Sequence, residues 1–151
     1  MSKKITTLFF TALTVGMTVQ AQDFDNIEIN ATPVRDNIYM LQGSGGNIGV
    51  VIGDDGTMIV DDQFAPLNDK IVTAIDELGG QPVSFVVNTH FHYDHTDGNE
   101  SFGRAGAYIV AQDNARKRME ATQVLTGGRV QEAYDAVGLP SITFFDEISV
   151  S

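Results

Sequence analysis

The three histidines of this 151-residue chain, His90, His92 and His95, all fall within six positions. That clustering constrains the chain more than any other feature. They lie in Thr89-His90-Phe91-His92-Tyr93-Asp94-His95-Thr96-Asp97-Gly98-Asn99, directly after the apolar run Val83-Ser84-Phe85-Val86-Val87. On extended backbone, residues i and i+2 point to the same side, so His90 and His92 present two imidazoles together while Phe91 and Tyr93 point away. A turn into helix near Asp94 brings Asp94 and His95 back to the same pocket. Four nitrogen and oxygen donors of this kind suit zinc, or iron or manganese. Gly98 permits tight backbone at the pocket mouth.

The rest of the composition narrows the chemistry. There is no Cys, which excludes a disulfide framework, a thiolate metal site and a Cys nucleophile. Nine basic against 20 acidic residues give a formal charge of −11, which argues against nucleic acid and anionic membrane surfaces as partners. At 42% hydrophobic, the chain is far from the disordered class, and its length fits about one domain.

Residues 1–21 read as a secretory signal peptide. Lys3 and Lys4 form the positive start, residues 5–19 are apolar and uncharged, and Val19-Gln20-Ala21 has the small-residue ending of a cleavage site. The apolar run contains five Thr and is shorter than the roughly 20 residues a spanning helix needs. Removal of two Lys and no acid leaves 130 residues with a formal charge of −13. The expected address is the periplasm or the medium, with no membrane span in the mature chain.

Residues 22–151 read as one domain in which strands alternate with turns and helices. Strands are expected at Ile38-Tyr39-Met40-Leu41, at residues 48–52 and at Thr57-Met58-Ile59-Val60, the last two joined by an Asp54-Asp55-Gly56 hairpin. Ile71, Ala74, Ile75 and Leu78 recur at helical spacing, predicting a helix over residues 68–78 capped by Asn68 or Asp69 and stopped by Gly79-Gly80. Further strands are expected at Val83–Val87, at Ala107-Tyr108-Ile109-Val110, at residues 142–145 and at Ile148-Ser149-Val150. A helix capped by Asp113 should run to about Ala121, with residues 123–138 part helix and part loop. Gly43-Ser44-Gly45-Gly46 lacks the Lys and helix start of a phosphate-binding loop and reads as a plain loop. Arg116-Lys117-Arg118 reads as a solvated helix face. The pattern is α+β, a layered sheet with helices on a face.

His90-Phe91-His92-Tyr93-Asp94-His95 resembles the signature of the metallo-β-lactamase superfamily. Asn47, Gly56 and Asp61 fall where members of that family often carry these types. The resemblance implies an αββα sandwich with a metal site at the edge of the sheets, His90 and His92 serving a first metal and Asp94 and His95 a second. It further implies a dinuclear zinc hydrolase in which a metal-held hydroxide attacks a carbonyl or phosphoryl centre of a small-molecule substrate, a β-lactam among the candidates, with Asp94 as catalytic proton acceptor. Asp61, with Asp62 as its rival, is similar to the carboxylate that orients a ligand imidazole from behind.

The chain departs from the family in one respect. The family's later ligands, a further His, a bridging Asp or Cys and a last His, have no counterpart after His95. The chain therefore reads as the N-terminal αβ half of such an enzyme, truncated at its C-terminus. An inactive metal-binding remnant is one alternative, and an iron-dependent oxidoreductase on the same fold is another. A half sandwich is expected to expose its inner sheet face, with Val86, Ile109 and Phe144 on it, and to self-associate through that face.

Overall fold

A computed structural model describes residues 23–149. The expected signal peptide lies outside them. The described residues form one seven-stranded sheet and a separate two-stranded hairpin. Strands β1 (Asn30–Arg35), β2 (Ile38–Gln42), β3 (Ile48–Gly53) and β4 (Gly56–Val60) pair antiparallel in chain order. Helix α1 (Asn68–Glu77) then crosses to β5 (Val83–Val87), which pairs parallel to β4. Two short helices, α2 (Tyr93–Thr96) and α3 (Asn99–Arg104), lead to β6 (Tyr108–Gln112), parallel to β5. Helix α4 (Asp113–Met119) and the hairpin of β7 (Gln123–Val124) with β8 (Val130–Gln131) precede β9 (Ile142–Phe144), which closes the parallel half beside β6. Parallel neighbours need long crossovers, and the helices supply them.

The β3–β4 hairpin turns on Asp54 and Asp55, with Gly56 at φ +137°. A Cβ on Gly56 would stand 2.5 Å from Ser84 Oγ, so this position needs glycine for both conformation and space. The sequence marks no strand at β1, because every residue of it is exposed and no apolar alternation develops. Its Pro33 suits an edge position.

One face of the sheet holds the core. Leu41, Ile48, Val50, Ile59, Val86 and Ile109 are buried against Leu67, Ile71 and Ile75 of the α1 region and Phe102 of α3. The expectation for Val86 and Ile109 is thereby overturned: both are 0–1% exposed, because side chains alternate along a strand and theirs point toward the helices. Phe144 is half-buried. The opposite face carries Ile38, Val51, Met58, Phe85 and Tyr108 in one row across five strands, half-buried to exposed, with the Phe85 and Tyr108 rings stacked at 5.7 Å.

Other expectations need correction. Helix α1 continues from a 3-10 turn at Ala65–Leu67, so Leu67, with no side-chain bond, takes the capping position expected of Asn68 or Asp69. Gln112 rather than Asp113 caps α4, its side chain accepting from the backbone N–H of Asn114. Ile148 and Ser149 are in no strand. Among the described residues no helix is long and apolar enough to cross a membrane.

Candidate functional site

The site forms where the C-terminal ends of parallel β4 and β5 meet the loops that follow them. Asp61 comes immediately after β4, and its N–H bonds Val87 O of β5 at 2.9 Å. Its φ is +62° and that of Gln63 is +56°, a left-handed conformation uncommon outside glycine. Such positions concentrate at functional sites because the surroundings must hold them there. Asn88 follows β5 and exchanges two amide hydrogen bonds with Asn99, at 3.0 and 2.9 Å, fixing the start of α3 to the strand end. Between these anchors the chain bends through His90 and His92 and enters α2 at Tyr93.

One carboxylate serves both ends of the histidine motif. Asp61 is 4% exposed. Its Oδ2 lies 2.8 Å from His95 Nδ1 and accepts the Thr89 hydroxyl at 2.8 Å, while its Oδ1 accepts the Thr89 N–H at 2.8 Å. The Thr89 hydroxyl oxygen in turn lies 3.0 Å from His90 Nδ1. With the hydroxyl proton directed at Asp61, that oxygen accepts from His90. Both Nδ1 atoms are thus occupied, which leaves the two Nε2 atoms as the available ring donors.

The three imidazoles are close neighbours. The His90 ring centroid is 4.2 Å from that of His95 and 4.8 Å from that of His92. His95 Nε2 is 3.7 Å from Asp94 Oδ2. Two ligand atoms each about 2.1 Å from a tetrahedral ion lie about 3.4 Å apart, so this pair needs only a small closure to share one. Among the described residues, no three His, Asp or Glu side chains form a group able to hold an ion. The donors are near one another without making a closed cage, and the fit to a metal rests on their chemistry. Burial first, then repulsion from His95 and His92, holds His90 below the usual histidine pKa, against the pull of Asp61 and Asp94. The neutral imidazole this favours is the form that ligates.

Asp62 turns the other way from Asp61. Its Oδ1 accepts the Gly98 N–H at 2.9 Å, and its buried Oδ2 has no hydrogen-bond partner. Burial raises its carboxyl well above the ordinary range; the Gly98 bond opposes this, and the charges of Asp61 and Asp97 add to it. The imidazole is reached by Asp61.

Three supporting side chains carry no local signal in the sequence. Thr89 is one. Gln131 of β8 is 6% exposed; it donates to Phe91 O at 2.7 Å and accepts from Tyr93 N–H at 3.1 Å, gripping the motif's backbone from behind. Gln63, 1% exposed, is hydrogen-bonded to the backbone of Ser44 and Gly46. Each has a partner 17 to 40 residues away, beyond any local pattern: Asp61 for Thr89, Gly46 for Gln63 and Phe91 for Gln131. Arg118 is exposed, as expected of a solvated face, and from there lies over the Phe91 ring at 5.1 Å. Arg129 does the same over Tyr93 at 5.2 Å and donates to its hydroxyl at 2.8 Å. The two aromatic residues between the motif's donors are therefore packing positions.

Residues 41–140 match the family model of the metallo-beta-lactamase superfamily, a span that covers the whole motif. Among solved structures, the chain is similar to the metallo-beta-lactamase MIM-1 of Novosphingobium pentaromativorans, with 25% identity and a TM-score of 0.67 over 80% of this chain and 46% of that one. It shares its fold with the class B3 di-zinc metallo-beta-lactamase LRA-12 from an Alaskan soil metagenome, at 18% identity and TM-score 0.73, over 89% of this chain and 52% of that one. BJP-1, a subclass B3 enzyme of Bradyrhizobium japonicum, aligns at 21% identity and TM-score 0.59, over 82% and 46%. No curated protein matches the chain. The chain spans about half the length of these solved enzymes. The single sheet with helices on one face is the N-terminal αβ half of the αββα sandwich. The chain belongs to the metallo-beta-lactamase superfamily.

Proposed function

We propose that this chain carries the first-half ligand set of an exported, dinuclear zinc hydrolase acting on a small carbonyl or ester substrate, with a β-lactam as the first candidate. His90 and His92 would hold one ion, Asp94 and His95 the other. The observation that carries the reading is the Asp61 carboxylate, bonded directly to His95 and through Thr89 to His90. A carboxylate behind a ligand imidazole fixes its tautomer and raises its basicity, a costly arrangement with little use in a histidine that merely packs.

Zinc, when bound, supplies an acidified water and polarises the bond attacked. The chain's own residues do the rest. Asp61 and Thr89 hold the imidazoles of His95 and His90 with Nε2 as the available ring donor. Asp94, half-buried at the mouth, accepts a proton at its carboxylate. Gln131 and the Asn88–Asn99 pair keep the motif's backbone in place. Four donors shared by two ions leave fewer than the three protein ligands usual for catalytic zinc. The half-length alignment with the solved enzymes supports a second αβ half as the source of the others. The Lys3-Lys4 start and the apolar run after it support export, to the periplasm or the medium.

Coding DNA beyond the Ser151 codon is expected to continue into a second half with one more His, a bridging Asp and a final His. The zinc-loaded product should hydrolyse a chromogenic β-lactam or a p-nitrophenyl ester, and His90→Ala should abolish it. Zinc retention without turnover would favour a metal-binding protein without activity. Iron in the natively expressed protein, with oxygen consumption, would overturn the hydrolase reading.

A further inference from the structure

The loop of residues 43–47, between β2 and β3, lies flat on the motif. A Cβ on Gly46 would stand 2.5 Å from His95 Cε1, and one on Gly45 would stand 3.2 Å from Asp94 O. A buried side chain from outside the loop, that of Gln63, bonds its backbone at two points. Gln63 accepts from the Ser44 N–H at 3.3 Å and donates to Gly46 O. Its backbone O also accepts the Asp97 N–H at 3.1 Å, tying the same residue to the end of α2. Gln63 makes these contacts from a left-handed backbone, φ +56°, that glycine would adopt without strain. A strained, fully buried amide with both polar atoms committed to a glycine loop points to a role for the side chain.

We propose that Gln63 is a latch, a positioning residue that fixes the 43–47 loop as a wall over the His95–Asp94 side of the site. Released, the loop exposes those donors to solvent and lets a bound ion leave faster. This second consequence rests on the metal-site reading; the latch itself rests only on the hydrogen bonds.

The full chain and two variants test it by hydrogen–deuterium exchange and zinc release to a chelator. Gln63→Gly removes the amide and relieves the backbone strain. Gln63→Met keeps the side-chain volume but can make neither hydrogen bond to the loop, so it stands in if the first variant fails to fold. Both are expected to speed amide exchange across residues 43–48 by about tenfold or more, with peptides over Val83–Val87 unchanged. Zinc release should quicken severalfold. Wild-type exchange rates in the loop of both variants would overturn the latch. An opened loop with unchanged zinc release would overturn the wall. Failure of the unmutated chain to retain zinc would sink the metal reading alone, with the latch still judged by exchange.

Discussion

Asp61 Oδ2 lies 2.8 Å from His95 Nδ1, and the same oxygen accepts the hydroxyl of Thr89, which meets His90. One carboxylate, held at φ +62° after β4, therefore orients both outer histidines of the motif. Asp61→Asn should weaken zinc binding about 10–100-fold, because the amide cannot accept in the same way from both partners. Calorimetric titration against zinc checks this. An affinity within twofold of the unmutated chain would contradict it.

Asp62 gives the opposite expectation. Its folded pKa is raised, so ionisation costs stability: the cost is absent below the unfolded pKa near 3.8 and grows as pH climbs through the raised value. Asp62→Asn keeps an acceptor for the Gly98 N–H and removes the buried charge. In the presence of a chelator it should melt at a higher temperature than the parent at pH 7.5, with the gain fading toward pH 4. A lower melting temperature at pH 7.5 would show that the buried Asp62 charge carries no such cost.

The sign for His90 runs the other way along the pH scale. Its folded pKa is lowered, so the unfolded chain takes up a proton first as pH falls below about 6.5. Its contribution is intact above that pH and is lost progressively as pH falls through the folded pKa. Without metal, the melting-temperature difference between parent and His90→Asn should therefore shift in favour of the variant from pH 8 to pH 5. A constant difference would show that His90 does not titrate as its surroundings dictate.

Gln131 tests the grip on the motif. Gln131→Ala leaves Phe91 O and Tyr93 N–H without their partner, which should cost about 1–3 kcal/mol in chemical denaturation. A cost near zero would mean that water or a rearranged backbone replaces the amide.

The motif and much of the sheet were legible in the sequence because both depend on local pattern. Ile71, Ala74, Ile75 and Leu78 mark one face of α1, and the hairpin of Asp54 and Asp55 announces β3 and β4. The strand β1 was not legible, since an edge with both faces exposed needs no apolar rhythm. Nor was α3, whose six residues bury Asn99 and Phe102 through contacts with β5 and β6 rather than by amphipathic spacing. The orientation of Val86 and Ile109 was lost for a different reason. A continuous apolar strand does not declare which face the helices cover. Thr89, Gln63 and Gln131 are invisible to spacing altogether, because each acts through a partner brought near only by the fold.

On the proposed reading, His90, His92 and His95 are wired to ligate metal. The chain's three histidines give a direct readout of it. In 15N-histidine-labelled protein at neutral pH, long-range proton–nitrogen spectra should show three imidazoles, with His95 and His90 protonated at Nδ1. Zinc should then shift the Nε2 resonances of His90 and His95 and a ring nitrogen of His92, and Asp61→Asn should blur the His95 tautomer. Three imidazoles that ignore zinc, or a His95 protonated at Nε2, would contradict that reading.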